Sequence, residues 1–159
     1  MMGSEPPVEA SDRGAMARFS GIEVLREMIA GRVAGPAMAG WLRFGLVEVA
    51  EGRAVFEGEP DGRFLNPMGM VHGGWALTLI DSATGCALHS LLPAGTGYTT
   101  VETKANMTRA IRPDDGKVRC EGRVLSHGRQ IATAEARLLS EDGKLLAHGS
   151  STLIILPPR

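Results

Sequence analysis

The sequence predicts an α+β fold, a curved antiparallel sheet wrapped around one long central helix. Three observations predict it. The element order reads helix, two strands, a long helix and four strands, and the short turns between strands make antiparallel neighbours. Residues alternate along the strands, as in Val118, Cys120, Gly122 and Val124 and in Ile131, Thr133, Glu135 and Arg137, so one sheet face is buried and the other wetter. The segment 73–92 alone is long and apolar enough to cover the buried face.

Residues 1–19 are polar and small, and are expected to lack order. Residues 20–159 then form a single domain, because a chain of 159 residues builds one core and has little left for a second. Ser20 and Glu23 fit a capping box at the start of a helix. Ile22, Leu25, Met28 and Ile29 share one face of that helix, and Gly31 stops it. Gly31 to Gly40 is rich in Gly, Ala and Pro and reads as a loop. "WLRFGLVEVA" and "RAVFEGEP" flank the turn pair Glu51-Gly52 and read as a hairpin. A loop spans Asp61 to His72, and the central helix follows from Gly73 to Leu92, ended by Pro93 and Gly95. The last four strands are "YTTVETKANMTRA", "KVRCEGRVLSH", "QIATAEARLLS" and "KLLAHGSSTLIIL".

Composition removes several classes of function. The net charge of -1 gives no basic field for nucleic acid or a membrane surface. Aromatics at 4% are too few for base-stacking platforms. Cys86 and Cys120 form no CxxC pair and read as small buried residues. His72, His89, His127 and His148 lack metal-ligand spacing, so no metal or other cofactor is expected. No apolar run reaches membrane-spanning length and the first twenty residues do not resemble a signal peptide, so the expected location is the cytoplasm.

Within the central helix, "NPMGMVHGGWALTLIDSATGCALHSLL" carries one acid, Asp81. On a helical wheel its neighbours are Gly74, Gly85, Thr78, Leu77 and Leu88, while Leu79, Ala83, Ala76 and Cys86 lie opposite. An isolated Asp on a helix usually points to water. Here there is no broad polar face to solvate it, and no Lys or Arg within a helical turn. A buried carboxylate without a partner is costly, which favours a functional acid in a cleft. Gly73 and Gly74 open the helix, where free N–H groups and the helix dipole would stabilise a developing oxyanion. "HGG" also reads as an ordinary loop-to-helix turn, Asn66 as an Asx-turn residue and His72 as a loop brace. Trp41, Phe44, Phe56, Phe64 and Trp75 fit a pocket wall or the core equally well.

"NPMGMVHGGWALTLIDSATG" resembles the hotdog-fold acyl-CoA thioesterases, in the PaaI-like (phenylacetate-type) branch and the related Arthrobacter-type hydroxybenzoyl-CoA thioesterases. The shared pattern is Asn66, then His72-Gly73-Gly74, then Asp81 on the central helix, and the element order matches over about Gly40 to Leu156. The resemblance implies hydrolysis of an acyl-CoA to a free acid and coenzyme A. It makes Asp81 the base or nucleophile, the Gly73 N–H the group that polarises the thioester carbonyl, and Asn66 an orienting residue. Thr99 falls where relatives place a hydroxyl beside the carboxylate. His72 and Gly74 would shape the substrate loop, and Arg129, Arg112 and Arg109 are candidates for the CoA phosphates, each equally readable as a surface arginine. Gly85 departs from relatives that carry a hydroxyl there, so Thr99 or Thr78 would supply one. Alternatives are a hotdog hydratase or dehydratase using His72, and a non-catalytic acyl-CoA-binding module. No GxSxG elbow is present for a serine hydrolase.

Gly73 and Asp81 are eight residues apart, about 12 Å along a helix. One chain therefore cannot place both on the same thioester carbon. A homodimer with two shared sites is expected, and a dimer of dimers as the full assembly.

Overall fold

A computed structural model describes residues 13–158. Three short helices lead in: α1 (Arg13–Arg18), α2 (Gly21–Ile29) and α3 (Ala37–Trp41). The hairpin β1 (Phe44–Ala50) and β2 (Arg53–Gly58) follows, then the central helix α4 (Gly73–His89). The remaining strands are β3 (Gly97–Met107), β4 (Val118–His127), β5 (Ile131–Ser140) and β6 (Leu145–Leu156). They form one six-stranded antiparallel sheet in the order β1-β2-β4-β5-β6-β3. The predicted fold class stands: a curved sheet wrapped on one helix, the hotdog fold.

Small residues on the inner face let the sheet close on α4. Ala132, Ala134 and Ala136 of β5 are buried, with Leu138 beyond them. At Gly122 of β4 an added Cβ would overlap the Ala83 carbonyl of α4, so only glycine permits this approach. The opposite face is wet and charged. Arg53 bridges Glu48 and Glu121 at 3.0 and 2.8 Å, which keeps opposite charges paired across neighbouring strands.

Several sequence expectations need correction. Residues 13–18, expected to lack order, form α1, with Ala15 buried. The rest of that expectation, 1–12, lies outside the described residues. The predicted loop of 31–40 contains most of α3. Its end, Trp41, was assigned to a strand that instead begins at Phe44. The reason is tertiary: the Trp75 indole N–H donates to the Leu42 carbonyl at 2.8 Å and holds this corner onto α4. Helix α4 stops at His89 rather than Leu92, because Ser90 caps it and the chain tightens into a turn. Ser20 behaves as expected, its N–H donating to Glu23 Oε2 at 2.8 Å.

Helix α4 presents Asp81 at the gap between the two sheet edges, β1 and β3. Helix α2 and the segment that follows it lie over this gap, so the carboxylate faces a cavity rather than bulk solvent. No helix among the described residues is long and apolar enough to cross a membrane.

Candidate active site

Two cavities lie along α4. The larger, about 580 Å³, holds Asp81, Ser82 and Cys86 on one side and Tyr98 and Thr100 of β3 on the other. Phe44, Leu46 and Phe56 give it an apolar floor, with Met28 and Pro36 above. Phe44 and Phe56 are thus pocket wall as well as core. Phe64 and Trp75 stack at 6.1 Å away from this cavity, and Trp41 is half exposed.

Asp81 is half-buried and forms no ion pair among the described residues. Its partner is a hydroxyl: Thr103 Oγ1 donates to Asp81 Oδ1 at 2.9 Å. Behind Thr103 stands the buried Ser151 Oγ at 2.9 Å, and behind that the buried Thr84 Oγ1 at 2.7 Å. A hydroxyl holds one proton. With Thr103 donating to the carboxylate, Thr103 can accept from Ser151, whereas Thr84 Oγ1 also donates toward the Ile80 and Asp81 carbonyls at 2.9 and 3.0 Å, so its one proton is shared among these acceptors and Ser151. The Thr103 O–H dipole thus points at Oδ1, with Ser151 and Thr84 buried behind it, and Oδ2 has no hydrogen-bond partner among the described residues.

The predicted hydroxyl, Thr99, is not at the carboxylate. It is exposed and lies on the other face of β3. The register of β3 against β6 slips between Thr100 and Glu102. This bulge inserts one residue and moves the inward face from Tyr98 and Thr100 to Thr103 and Ala105. Thr78, the other proposed donor, gives its hydrogen bond to the Gly74 carbonyl at 2.9 Å. Sequence reasoning missed Thr103, Ser151 and Thr84. The run of hydroxyls "GSST" and the Thr-rich start of β3 are the signals that could have pointed to them, once the bulge is known.

The second cavity, about 300 Å³, is lined by Asn66, Val71, Gly73 and Met107. Asn66 is an Asx-turn residue: its Oδ1 accepts from the Met68 and Met70 N–H groups at 2.9 and 3.2 Å. That fixes the loop with Asn66 in the cavity lining. His72 is the N-cap of α4, its Nδ1 accepting from the Gly74 N–H at 2.9 Å. The Gly74 donor is therefore spent on the cap, while the Gly73 N–H has no partner among the described residues. Arg109 borders this cavity and, with Arg112 and Lys144, an adjoining polar cavity. Arg129 sits in the exposed β4–β5 turn and lines neither.

Burial pushes the Cys86 thiol up to about 12, and burial likewise lifts the Tyr98 phenol well above its ordinary range. Both stay protonated near neutrality, and Asp81 is the one carboxyl side chain that lines the larger cavity. No cluster of three or more potential metal ligands occurs among the described residues.

Residues 68–147 match the model of the Thioesterase superfamily. A conserved protein from Pseudomonas aeruginosa is 32% identical with a TM-score of 0.72, over 77% of this chain and 95% of that one. A phenylacetic acid degradation-related protein from Ralstonia eutropha is 27% identical with a TM-score of 0.75, over 82% and 98%. The PaaI protein of Escherichia coli shares the fold, with a TM-score of 0.76 at 18% identity over 87% and 95%. A curated Pseudomonas aeruginosa protein whose name suggests an esterase is 29% identical over 61% of this chain, an alignment that spans 66% of its own length. The chain belongs to the Thioesterase superfamily, with the hotdog fold.

Proposed function

We propose that this protein is an acyl-CoA thioesterase whose active site is completed by a second copy of the chain. The observation that carries the reading is Asp81, an acid tethered by Thr103 and facing an apolar cavity without a paired cation. An acyl group fits such a cavity, and a carboxylate with one free oxygen can serve hydrolysis there.

The copies are needed because β3 runs antiparallel along α4. Met107 lies against Gly73, Thr103 against Asp81 and Tyr98 against Gly85. Strand β3 is also a sheet edge with unpaired backbone groups. Two β3 edges paired about a two-fold axis run in opposite directions, which carries the Gly73 end of one copy toward Asp81 of the other. The Gly73 N–H then polarises the thioester carbonyl, with Asn66 at its side. Asp81 Oδ2 either takes a proton from water as the water oxygen adds to the carbon, or attacks the carbon itself to give an acyl–aspartyl anhydride that water then hydrolyses to the free acid. The tetrahedral oxyanion is held by the N–H until the carbon–sulfur bond breaks and the thiol leaves with a proton. Arg109 and Arg112 stand on the Gly73 side, where the CoA phosphates would enter. Arg129 could serve only from a second copy, and a dimer of dimers remains part of this proposal.

The hydratase reading has less support, because the His72 Nδ1 is committed to the Gly74 N–H in the helix cap. The test is thiol release from short, medium, long and aromatic acyl-CoAs. Turnover is expected for at least one class, and Asp81→Asn should lower it by at least ~100-fold at unchanged thermal unfolding. Near-normal turnover in that variant would reject Asp81 as the reacting group.

A further inference from the structure

Toward the C-terminal end of α4 the larger cavity stops at the ring of Tyr98. That ring is seated on Gly85. A Cβ at position 85 would stand 2.7 Å from the phenol oxygen and 2.8 Å from Cε2, too close for any side chain unless the ring moved. Glycine in mid-helix is less stable than alanine, so α4 carries a cost that the seat of the ring accounts for. Behind the ring lies the buried imidazole of His89, with centroids 5.6 Å apart and planes tilted by 52°. Beyond these is a second core cluster containing Leu88, Leu92 and Leu153, against which Tyr98 also packs. The Tyr98 ring thus divides the open cavity from filled apolar core.

We propose that Tyr98, seated on Gly85, is the end wall of the acyl pocket and sets the longest acyl group accepted. This rests on the thioesterase reading with Asp81 as the reacting carboxylate. Asp81 and Gly85 are four residues apart, about 6 Å along the helix, so on this side the acyl tail has roughly one helical turn of room. Short chains and single aromatic rings fit that length, and long straight chains do not. The wall is uncharged, because burial keeps both the phenol and the neighbouring Cys86 thiol protonated.

The experiment is steady-state hydrolysis of straight-chain acyl-CoAs from acetyl to palmitoyl and of aromatic acyl-CoAs, with unfolding measured for each variant. Tyr98→Ala is expected to move the preference to longer chains, raising kcat/KM for the long substrates about tenfold relative to the short ones. Tyr98→Leu should move it part of the way, and covers the case in which the alanine variant does not fold. Tyr98→Phe should keep the wild-type length profile, since the ring and not the hydroxyl is the wall. An unchanged profile in a folded Tyr98→Ala or Tyr98→Leu enzyme overturns the wall, as does a shift in Tyr98→Phe equal to that of the alanine variant. A wild type that hydrolyses none of these acyl-CoAs overturns the thioesterase reading itself, which the other outcomes leave standing.

Discussion

The two cavities along α4 are built by different means. Around Gly73 the chemistry is backbone: a glycine pair, a histidine cap and an Asx turn hold a loop so that one N–H has no partner among the described residues. Around Asp81 it is side chain: a carboxylate is fixed by hydroxyls from three separate elements, α4, β3 and β6. The first is set by residues close in sequence and survives wherever that loop folds. The second exists only after the sheet has closed on the helix. Each lacks what the other has, and a thioester needs both.

That division gives the largest expected effect. Asn66→Ala damages the loop side, with the milder loss, and Asp81→Ala the carboxylate side; the test requires that each be nearly inactive alone. Unfolded and refolded together in equal amounts, about half the dimers are mixed, and each mixed dimer has one intact site and one doubly damaged site. Activity should recover to as much as about a quarter of wild type. Mixed dimers that show no gain over the parents would mean that the two cavities do not serve one site, and the contrast would then separate two unrelated features.

A smaller effect probes how the carboxylate is held. Thr103→Val removes the hydroxyl but keeps the shape, so the protein should fold and bind substrate normally. With Oδ1 no longer fixed, kcat is expected to fall about tenfold, equivalent to ~1.4 kcal/mol of transition-state stabilisation, while KM holds. Thr103→Ser should restore most of the rate. Loss of KM and kcat together, with no rescue by serine, would mark Thr103 as a packing residue only.

The same contrast explains what the sequence could show. The backbone half was legible: His72-Gly73-Gly74, the role of His72 as a brace and the Asx turn at Asn66 follow from local spacing. The placement of Asp81 in a cleft was legible because an acid stood out on an apolar helix. The hydroxyl partner was not, since Thr99 and Thr103 differ only by a bulge, and a bulge is set by pairing with β6 rather than by the Thr-rich segment itself. Cys86 was placed opposite Asp81, yet it lines the same cavity, because the open face of α4 spans the whole gap between β1 and β3. Helix α3 escaped notice among Gly, Ala and Pro for a similar reason. A distant indole, Trp75, holds it in place.

The smallest effect separates the other ionisable side chain of the α4 backbone run from Asp81. His89 is buried beneath Gly21 and beside Tyr98, and burial holds its pKa below the ordinary 6.5. In the unfolded chain the imidazole takes a proton near that ordinary value, whereas in the fold it does so only at lower pH. Below about pH 6.5 the unfolded state therefore binds more protons, and stability falls as pH drops toward the folded pKa. Above that window both states are neutral and the residue contributes no pH dependence. The carboxylates lowered by ion pairs, Glu27, Glu48 and Glu121, act below their ordinary 4.5 and so outside this window. Thermal unfolding of the wild type should decline by a few degrees, on the order of 3 °C, between about pH 7.5 and pH 5.5. His89→Gln, which cannot take the proton, should unfold at a lower temperature throughout but with a flatter dependence on pH. An equal slope in the two proteins would show that His89 is not the group that titrates, and that burial at this end of α4 differs less from the open Asp81 cavity than its packing implies.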